Sequence, residues 1–204
     1  MDAAELFLRD HARVHSKGVG EAEGGMWLEN LVLDGLTGEQ LRLRPAEGTN
    51  SLVWIFWHMA RGEDMGVNVI VAGRPQVIED DNWIDRLGLS RADIGTGMTD
   101  DEVADFSACV DIATMRAYRA AVGKRTREVV SALGPDEWEQ TQDEDAMRRA
   151  LAAGAIGENA RWLTQVFGGK SKALILGHVG TGHNFWHLGE AMTVRSLAGL
   201  RLPI

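Results

Sequence analysis

Apolar residues recur at intervals of three and four along most of the chain, and the apolar–polar alternation of a β-strand is almost absent. Four long stretches carry this helical spacing, over about residues 3–34, 50–73, 99–133 and 172–200. At 204 residues the chain is long enough for one domain with its own core. We therefore predict a single all-α domain, residues 1–204, built as a four-helix bundle.

Residues at the ends of these stretches support the helices. Asn50 or Ser51 is a good N-cap for the second stretch. Thr99 and Glu102 have the spacing of a capping box at the start of the third. Glycines interrupt the first stretch, which is predicted to be two helices or one kinked helix. The third is predicted to bury one apolar stripe: Val103, Phe106, Val110, Ala113 and Ala117.

The connectors indicate how the helices are arranged. Residues 74–98 form a long polar connector, which permits a parallel crossover between the second and third long helices. Residues 135–169 are predicted to hold one or two short helices, with segments 147–153 and 158–167 as candidates.

Composition excludes several classes of protein. The chain has 30 acidic and 21 basic residues and a net charge of −9, which disfavours nucleic-acid binding. One cysteine excludes an intramolecular disulfide framework and a Cys-based zinc site. The longest apolar run, residues 52–57, is too short to span a membrane, and the N-terminus lacks a signal-peptide pattern. We expect a cytoplasmic protein with no membrane partner.

Three histidines are predicted to point into the bundle. His58 lies on an apolar face of the second long helix. His183 and His187 are four residues apart, so they project from one side of the last helix, at the spacing by which one helix offers two nitrogens to a metal. Three imidazoles suit a divalent transition ion such as zinc, nickel, iron or manganese, and leave coordination positions free. His178 precedes His183 by five residues, about 140° around an α-helix, and is predicted to lie outside this site.

Other interpretations of the histidines remain open. Core histidines often only satisfy hydrogen bonds, and HxxxH pairs arise easily. His11 and His15 form such a pair and are interpreted as surface residues near the terminus. The chain is thus a metal-dependent enzyme, a non-catalytic metal- or ligand-binding bundle, or a metal-free dimeric scaffold.

Two segments resemble a known family. Segments 36–42 and 50–60, which hold LTGEQLR and NSLVWIFWHMA, resemble the second-helix region of the DinB/YfiT-like superfamily. Segment 183–190, HNFWHLGE, resembles its last-helix motif, an HxxxH followed by Gly and Gln or Glu. The order and separation of the two motifs also fit.

This resemblance implies a four-helix bundle of up-down-down-up topology, a divalent metal bound by His58, His183 and His187, and a homodimer. Relatives in the superfamily include mycothiol-dependent maleylpyruvate isomerase and transferases that use bacillithiol or mycothiol. The implied function is therefore a thiol-dependent transferase or isomerase acting on a small molecule. A metal-activated water is the alternative nucleophile. DNA binding is not implied.

Residues next to the motifs have two interpretations each. Glu190 could orient a ligand imidazole or act as a general base, and the alternative is a solvated or salt-bridged glutamate. Three tryptophans flank the histidines and either wall an apolar pocket or pack in the core or a dimer interface: Trp54, Trp57 and Trp186.

The remaining charged and thiol side chains are interpreted structurally. Arg61, Glu63 and Asp64 are predicted to form a solvated or paired helix edge. Cys109 is interpreted as a small buried hydrophobe, with a functional thiol as the alternative.

Glycine is abundant, with 24 residues. In a helical chain, Gly62 and Gly180 are predicted to let the second and fourth long helices approach closely, or to leave room for a ligand beside the histidines.

Overall fold

The computed structural model describes residues 1–143 and 145–203, and within them the chain is helical, with a single isolated β-bridge between Thr141 and Ser171. Two π-helical segments extend or join α-helices: π1 (Met65–Val71) and π2 (Gly177–Gly182). The α-helices are α1 (Ala3–Val14), α2 (Leu28–Leu33), α3 (Gly38–Arg42), α4 (Leu52–Asp64), α5 (Trp83–Leu87), α6 (Asp100–Cys109), α7 (Ile112–Ala132), α8 (Ala146–Ala152), α9 (Leu163–Phe167), α10 (Lys172–Leu176) and α11 (His183–Leu197).

Three of the four predicted stretches match the helices well. The first divides into α1 and α2. The second is α4 continued by π1, and the Ser51 hydroxyl caps it by accepting a hydrogen bond from the Trp54 backbone N–H. The fourth is α10, π2 and α11 in succession, and α8 and α9 occupy the region where short helices were predicted.

The third stretch is not one helix, which corrects the prediction. Val110 is extended, with ψ 133°, and the Asp111 side chain accepts a hydrogen bond from Thr114 N–H to start α7. The break changes the helical register, so Ala113 and Ala117 are exposed and the single stripe ends at Val110. The buried face of α7 consists of Met115, Tyr118, Arg119, Val122, Gly123, Thr126, Val129 and Val130.

Helix α4 is the central element. Every residue from Leu52 to Asp64 is buried, because α4 packs against α7, α11, α6 and α3. Its continuation π1 packs against α8 and α10. No helix within the described residues is both long and apolar enough to cross a membrane.

Arg61 and Asp64 are paired, as one interpretation held, but in the core and not at a solvated edge. The Arg61 guanidinium lies 2.9 Å from the Asp64 carboxylate, and neither side chain is exposed. Tyr118 donates its hydroxyl to the same carboxylate at 2.6 Å. Backbone N–H groups of Val77 and Ile78 donate to it at 2.8 and 3.0 Å. Asp64 therefore pins the start of the 74–98 connector against α4.

Gly62 and Gly180 both allow close packing, but Gly180 packs against a different helix from the one predicted. A β-carbon at Gly62 would lie 3.4 Å from Cε1 of His183, so this position does bring α4 close to α11. One at Gly180 would lie 2.5 Å from the Phe7 ring, so Gly180 makes room for α1 and not for α4. Gly66 lets π1 and π2 pack closely, because a β-carbon there would lie 2.7 Å from the Val179 methyl groups.

Candidate metal centre

The structure brings the three predicted histidines together. One ring nitrogen from each of His58, His183 and His187 lies within 4.8 Å of the others, and we call this set the three-histidine cluster. Nε2 of His58 is 3.0 Å from Nε2 of His183. The His187 ring centroid is 4.7 Å from that of His58 and 4.5 Å from that of His183.

Two contacts fix the orientation of His58. Its Nδ1–H donates to the Ile94 carbonyl at 2.6 Å. Its ring stacks on Trp54, one turn earlier on α4, at 4.8 Å between centroids and 8° between planes. Because Nδ1 carries the proton, Nε2 presents its lone pair to the cluster.

Glu190 orients His187 in the same way. Nδ1–H of His187 donates to one Glu190 oxygen at 2.6 Å, which leaves Nε2 as the nitrogen with a free lone pair. The other oxygen accepts from the Asn50 side-chain amide at 2.8 Å. Burial opposes ionisation of Glu190, but hydrogen bonds from His187 and Asn50 prevail and lower its pKa. With both oxygens engaged, this geometry suits the orienting role better than that of a general base.

The cluster disfavours protonated imidazoles. Burial, followed by the charge of His187, lowers the pKa of His58 to about 4. Burial and then the charges of His58 and His187 lower the pKa of His183 to about 2. The rings of His58 and His183 are therefore neutral at pH 7, the form that binds metals.

The donor set fits a metal ion. Two Nε2 lone pairs 3.0 Å apart repel each other unless a proton or a cation lies between them. Among the described residues no group hydrogen bonds to Nδ1 of His183, although it is buried. This ring can therefore take either tautomer, including the one that offers Nε2 to a cation.

A cavity of about 450 Å³ opens above the cluster. The three histidines form part of its lining, and the rest is mainly apolar, from π1, α9, π2 and the loop around Ile94. Trp186 and Trp162 also line it, with 72% and 54% of their surface exposed. Of the three flanking tryptophans, Trp186 thus lines the cavity, Trp54 supports His58, and Trp57 is fully buried in the core.

His178 lies closer to the cluster than predicted. Its ring centroid is 5.7 Å from that of His183, and it lines the same cavity. The prediction assumed an α-helix, whereas residues 177–182 form π2, whose hydrogen bonds join residues five apart. Residues 178 and 183 therefore share a face. Burial lowers the pKa of His178.

Sequence reasoning missed a second cluster. His11 and His15 are completely buried, so their interpretation as surface residues is wrong. Each donates Nε2–H to a different oxygen of Glu63, at 2.9 Å in both cases. We call His11, His15 and Glu63 the Glu63 cluster. In the sequence, only the HxxxH spacing of α1 points to this cluster, because Glu63 lies 48 residues or more along the chain from the two histidines.

Electrostatics of the Glu63 cluster follow from its burial. Burial, partly offset by the nearby Glu63, lowers the pKa of His15 to about 3. Burial would raise the pKa of Glu63, but the proximity of the His15 and His11 rings and their hydrogen bonds to the carboxylate lower it well below its usual range. The carboxylate is thus ionised and the His15 ring neutral at pH 7.

Cys109 is exposed at the end of α6, so the interpretation as a buried hydrophobe is wrong.

Comparisons with known proteins agree with this architecture. The sequence model of the DinB superfamily matches residues 28–191, which contain the whole three-histidine cluster. The crystal structure of a conserved protein from Enterococcus faecalis is similar, with a TM-score of 0.67 and 16% sequence identity over 98% of this chain and 99% of that chain. At that identity the similarity shows the fold alone. No curated protein sequence matches the chain.

Proposed function

The chain belongs to the DinB superfamily, and from this premise we propose that it is a divalent-metal-dependent enzyme that acts on a small molecule. His58, His183 and His187 would hold the metal. The observation that carries the proposal is the convergence of three imidazoles, each with one ring nitrogen within 4.8 Å of the others, at the wall of a cavity. Three protein ligands leave positions free for a substrate, which is the pattern of catalytic sites.

A divalent cation held there would act as a Lewis acid that lowers the pKa of a thiol or water it binds. The protein's own residues would do the rest. Ile94 and Glu190 fix the proton on Nδ1 of His58 and His187, so both rings keep the ligand tautomer. The apolar walls from π1, α9 and π2 would exclude water and select an apolar substrate moiety.

The proposal extends to several finer points that the family resemblance supports. The metal would be zinc, nickel, iron or manganese, since imidazole suits all four. A bacterial thiol such as mycothiol or bacillithiol would be the co-substrate of a transfer or isomerisation reaction. The helices would form a four-helix bundle of up-down-down-up topology, and the protein would be a homodimer.

Metal analysis tests the three-histidine cluster. Purified protein should bind one equivalent of zinc or nickel at this cluster, and His58→Ala and His183→Ala should each lose it. His178→Ala is the matched control, because it removes an imidazole from the same cavity that is not among the three ligands. Full retention of metal by both ligand variants would overturn the site.

A non-catalytic metal-binding bundle is the second candidate. It is favoured by the position of the cluster, which bridges α4 and α11 through His58 and His183. A purely structural ion has no free coordination position. Relaxation of bulk-water protons by Mn²⁺-loaded protein separates the two: strong enhancement supports the enzyme, and its absence supports the structural role.

A further inference from the structure

The Glu63 cluster joins two helices deep in the molecule. α1 contributes His11 and His15, one turn apart, and α4 contributes Glu63. One ligand-type atom from each lies within 4.8 Å of the others, and none of the three side chains is exposed. α4 thus supplies one residue to this cluster and another, His58, to the three-histidine cluster.

We propose that the Glu63 cluster is a second, fully buried site for a divalent transition-metal ion. Nε2 of His11, Nε2 of His15 and the Glu63 carboxylate would be the protein ligands. Two imidazoles and one carboxylate form a donor set that suits zinc, manganese, iron or nickel. The two histidines precede residue 28, where the family match begins, and the proposal does not rest on the function proposed above.

Hydrogen bonds to the carboxylate hold it in a ligand orientation. Thr126 donates its hydroxyl to Oε1 of Glu63 at 2.7 Å, and the Asn184 amide donates to Oε2 at 3.1 Å. Both bonds can persist when a cation takes the place of the imidazole protons. Such outer contacts orient metal-ligating carboxylates.

Gly123 makes room for the His15 ring on the side away from Glu63. A β-carbon at Gly123 on α7 would lie 2.8 Å from Cε1 and Nδ1 of His15, so only glycine allows the ring in this position. No group among the described residues hydrogen bonds to Nδ1 of His11 or His15. The tautomer of each ring is therefore set only by what faces Nε2, and Nε2 can release its proton to Nδ1 and bind a cation.

Charge balance also favours a cation. Among the described residues, no lysine or arginine forms an ion pair with Glu63. The nearby guanidinium of Arg119 instead donates hydrogen bonds to the Glu29 carboxylate at 3.0 Å and to the side-chain amide oxygen of Asn184 at 2.9 Å. A buried carboxylate is costly unless it is paired or bound to a metal.

Metal counting tests this site separately from the first. The double variant His58→Ala/His183→Ala lacks the three-histidine cluster, and we expect it to bind one equivalent of Co²⁺ with a visible d–d absorption band. Wild-type protein should bind two equivalents. Adding Glu63→Gln to the double variant should abolish the band, whereas adding His178→Ala, the control, should leave it unchanged.

A second measurement keeps the test decisive if Glu63→Gln does not fold. The double variant itself should melt several degrees higher with Co²⁺ than with a chelator, because a buried site forms only in the folded chain. In wild-type protein, a chelator should remove the ion beside the cavity quickly and the buried ion slowly. If the double variant binds no Co²⁺ and its melting temperature is unchanged by metal, the site does not exist. Failure of the proposed function would instead show as wild-type metal content that His58→Ala and His183→Ala do not lower.

Discussion

At the residue scale, the buried carboxylate of Asp64 holds the connector to α4. Its buried carboxylate accepts hydrogen bonds from Arg61, from Tyr118 and from two backbone N–H groups of the connector. Asp64→Asn would leave Arg61 as an unpaired buried charge, and we expect a loss of about 3–5 kcal/mol in the free energy of unfolding. Urea denaturation measures it. Asp105→Asn, at an exposed position of α6, is the control and should change stability by less than about 0.5 kcal/mol.

Glu190 should influence metal binding at the proposed three-histidine site through His187. Glu190→Gln keeps the size of the side chain but removes the charge from the 2.6 Å hydrogen bond to Nδ1. We expect the affinity for Zn²⁺ to fall about 10–100-fold, because such partners raise the basicity of a ligand imidazole. Competition with a chromophoric chelator gives the affinity. Glu128→Gln, on the exposed side of α7, should leave it unchanged; equal affinities for the two variants would refute the orienting role.

How far single residues can be predicted depends on where their partners lie. The spacing of His183 and His187 within one helix is visible in the sequence, and so is the apolar face that carries His58. Glu63 is a partner of His11 and His15 only through the packing of α1 on the central helix, which no local pattern encodes. The Glu63 carboxylate is buried because residues far along the chain donate hydrogen bonds to it. The sequence alone therefore predicts a charge at a helix edge.

At the element scale, packing between π1 and π2 depends on one missing methyl group. A β-carbon at Gly66 would lie 2.7 Å from the Val179 methyls, so we expect Gly66→Ala to cost about 1–3 kcal/mol by overpacking. Gly189 in α11 has open space around its β-carbon position. Gly189→Ala should therefore stabilise the protein by about 0.5–1 kcal/mol through helix propensity. Urea unfolding of both variants would show whether the free energy of unfolding falls for Gly66→Ala and rises for Gly189→Ala. A stabilising Gly66→Ala would contradict this packing.

Helix ends are predictable where their caps are local. Ser51 and Thr99 each cap a helix as their spacing indicates. The break before α7 also has a local signal, because Asp111 is a favoured N-cap residue, but the continuing three-four spacing of apolar residues obscures it. No local sequence pattern indicates the π-helical turns. In π2 these turns place His178 on the same face as His183, where an α-helix would not.

At the scale of the whole molecule, buried histidines make stability depend on pH. The folded-state pKa is about 4 for His58 and about 3 for His15, below the ordinary value of 6.5. Below pH 6.5 the unfolded chain takes up protons that the folded chain does not, so stability is full above pH 6.5 and falls as the pH drops toward 4. These two groups alone should cost about 2–3 kcal/mol between pH 6 and pH 5, and His183, whose folded-state pKa is about 2, adds to the loss.

Denaturant unfolding with a chelator present measures this slope in the metal-free protein. His58→Asn should reduce the pH dependence of the free energy of unfolding by the contribution of one histidine. A free energy of unfolding that stays constant from pH 6.5 to pH 5 would contradict the burial of these rings in neutral form.

The overall class of the molecule follows from the sequence more readily than its cavity does. The dominance of helical spacing predicts an all-helical chain, and the structure confirms it for the described residues. The cavity, in contrast, is walled by α9 and π2, which contact the histidines only after the chain has folded back on itself.

An apolar cavity of fixed volume should also bind ligands with an affinity that depends on their chain length. In a homologous series of alkyl compounds with one metal-binding head group, each added CH₂ should strengthen binding by about 0.8 kcal/mol. The gain should stop abruptly once the chain fills about 450 Å³ or reaches the exposed rings of Trp162 and Trp186 at the mouth. Calorimetric titration along such a series would locate this cut-off, and the length at which affinity levels off would measure how much of the cavity a ligand can fill.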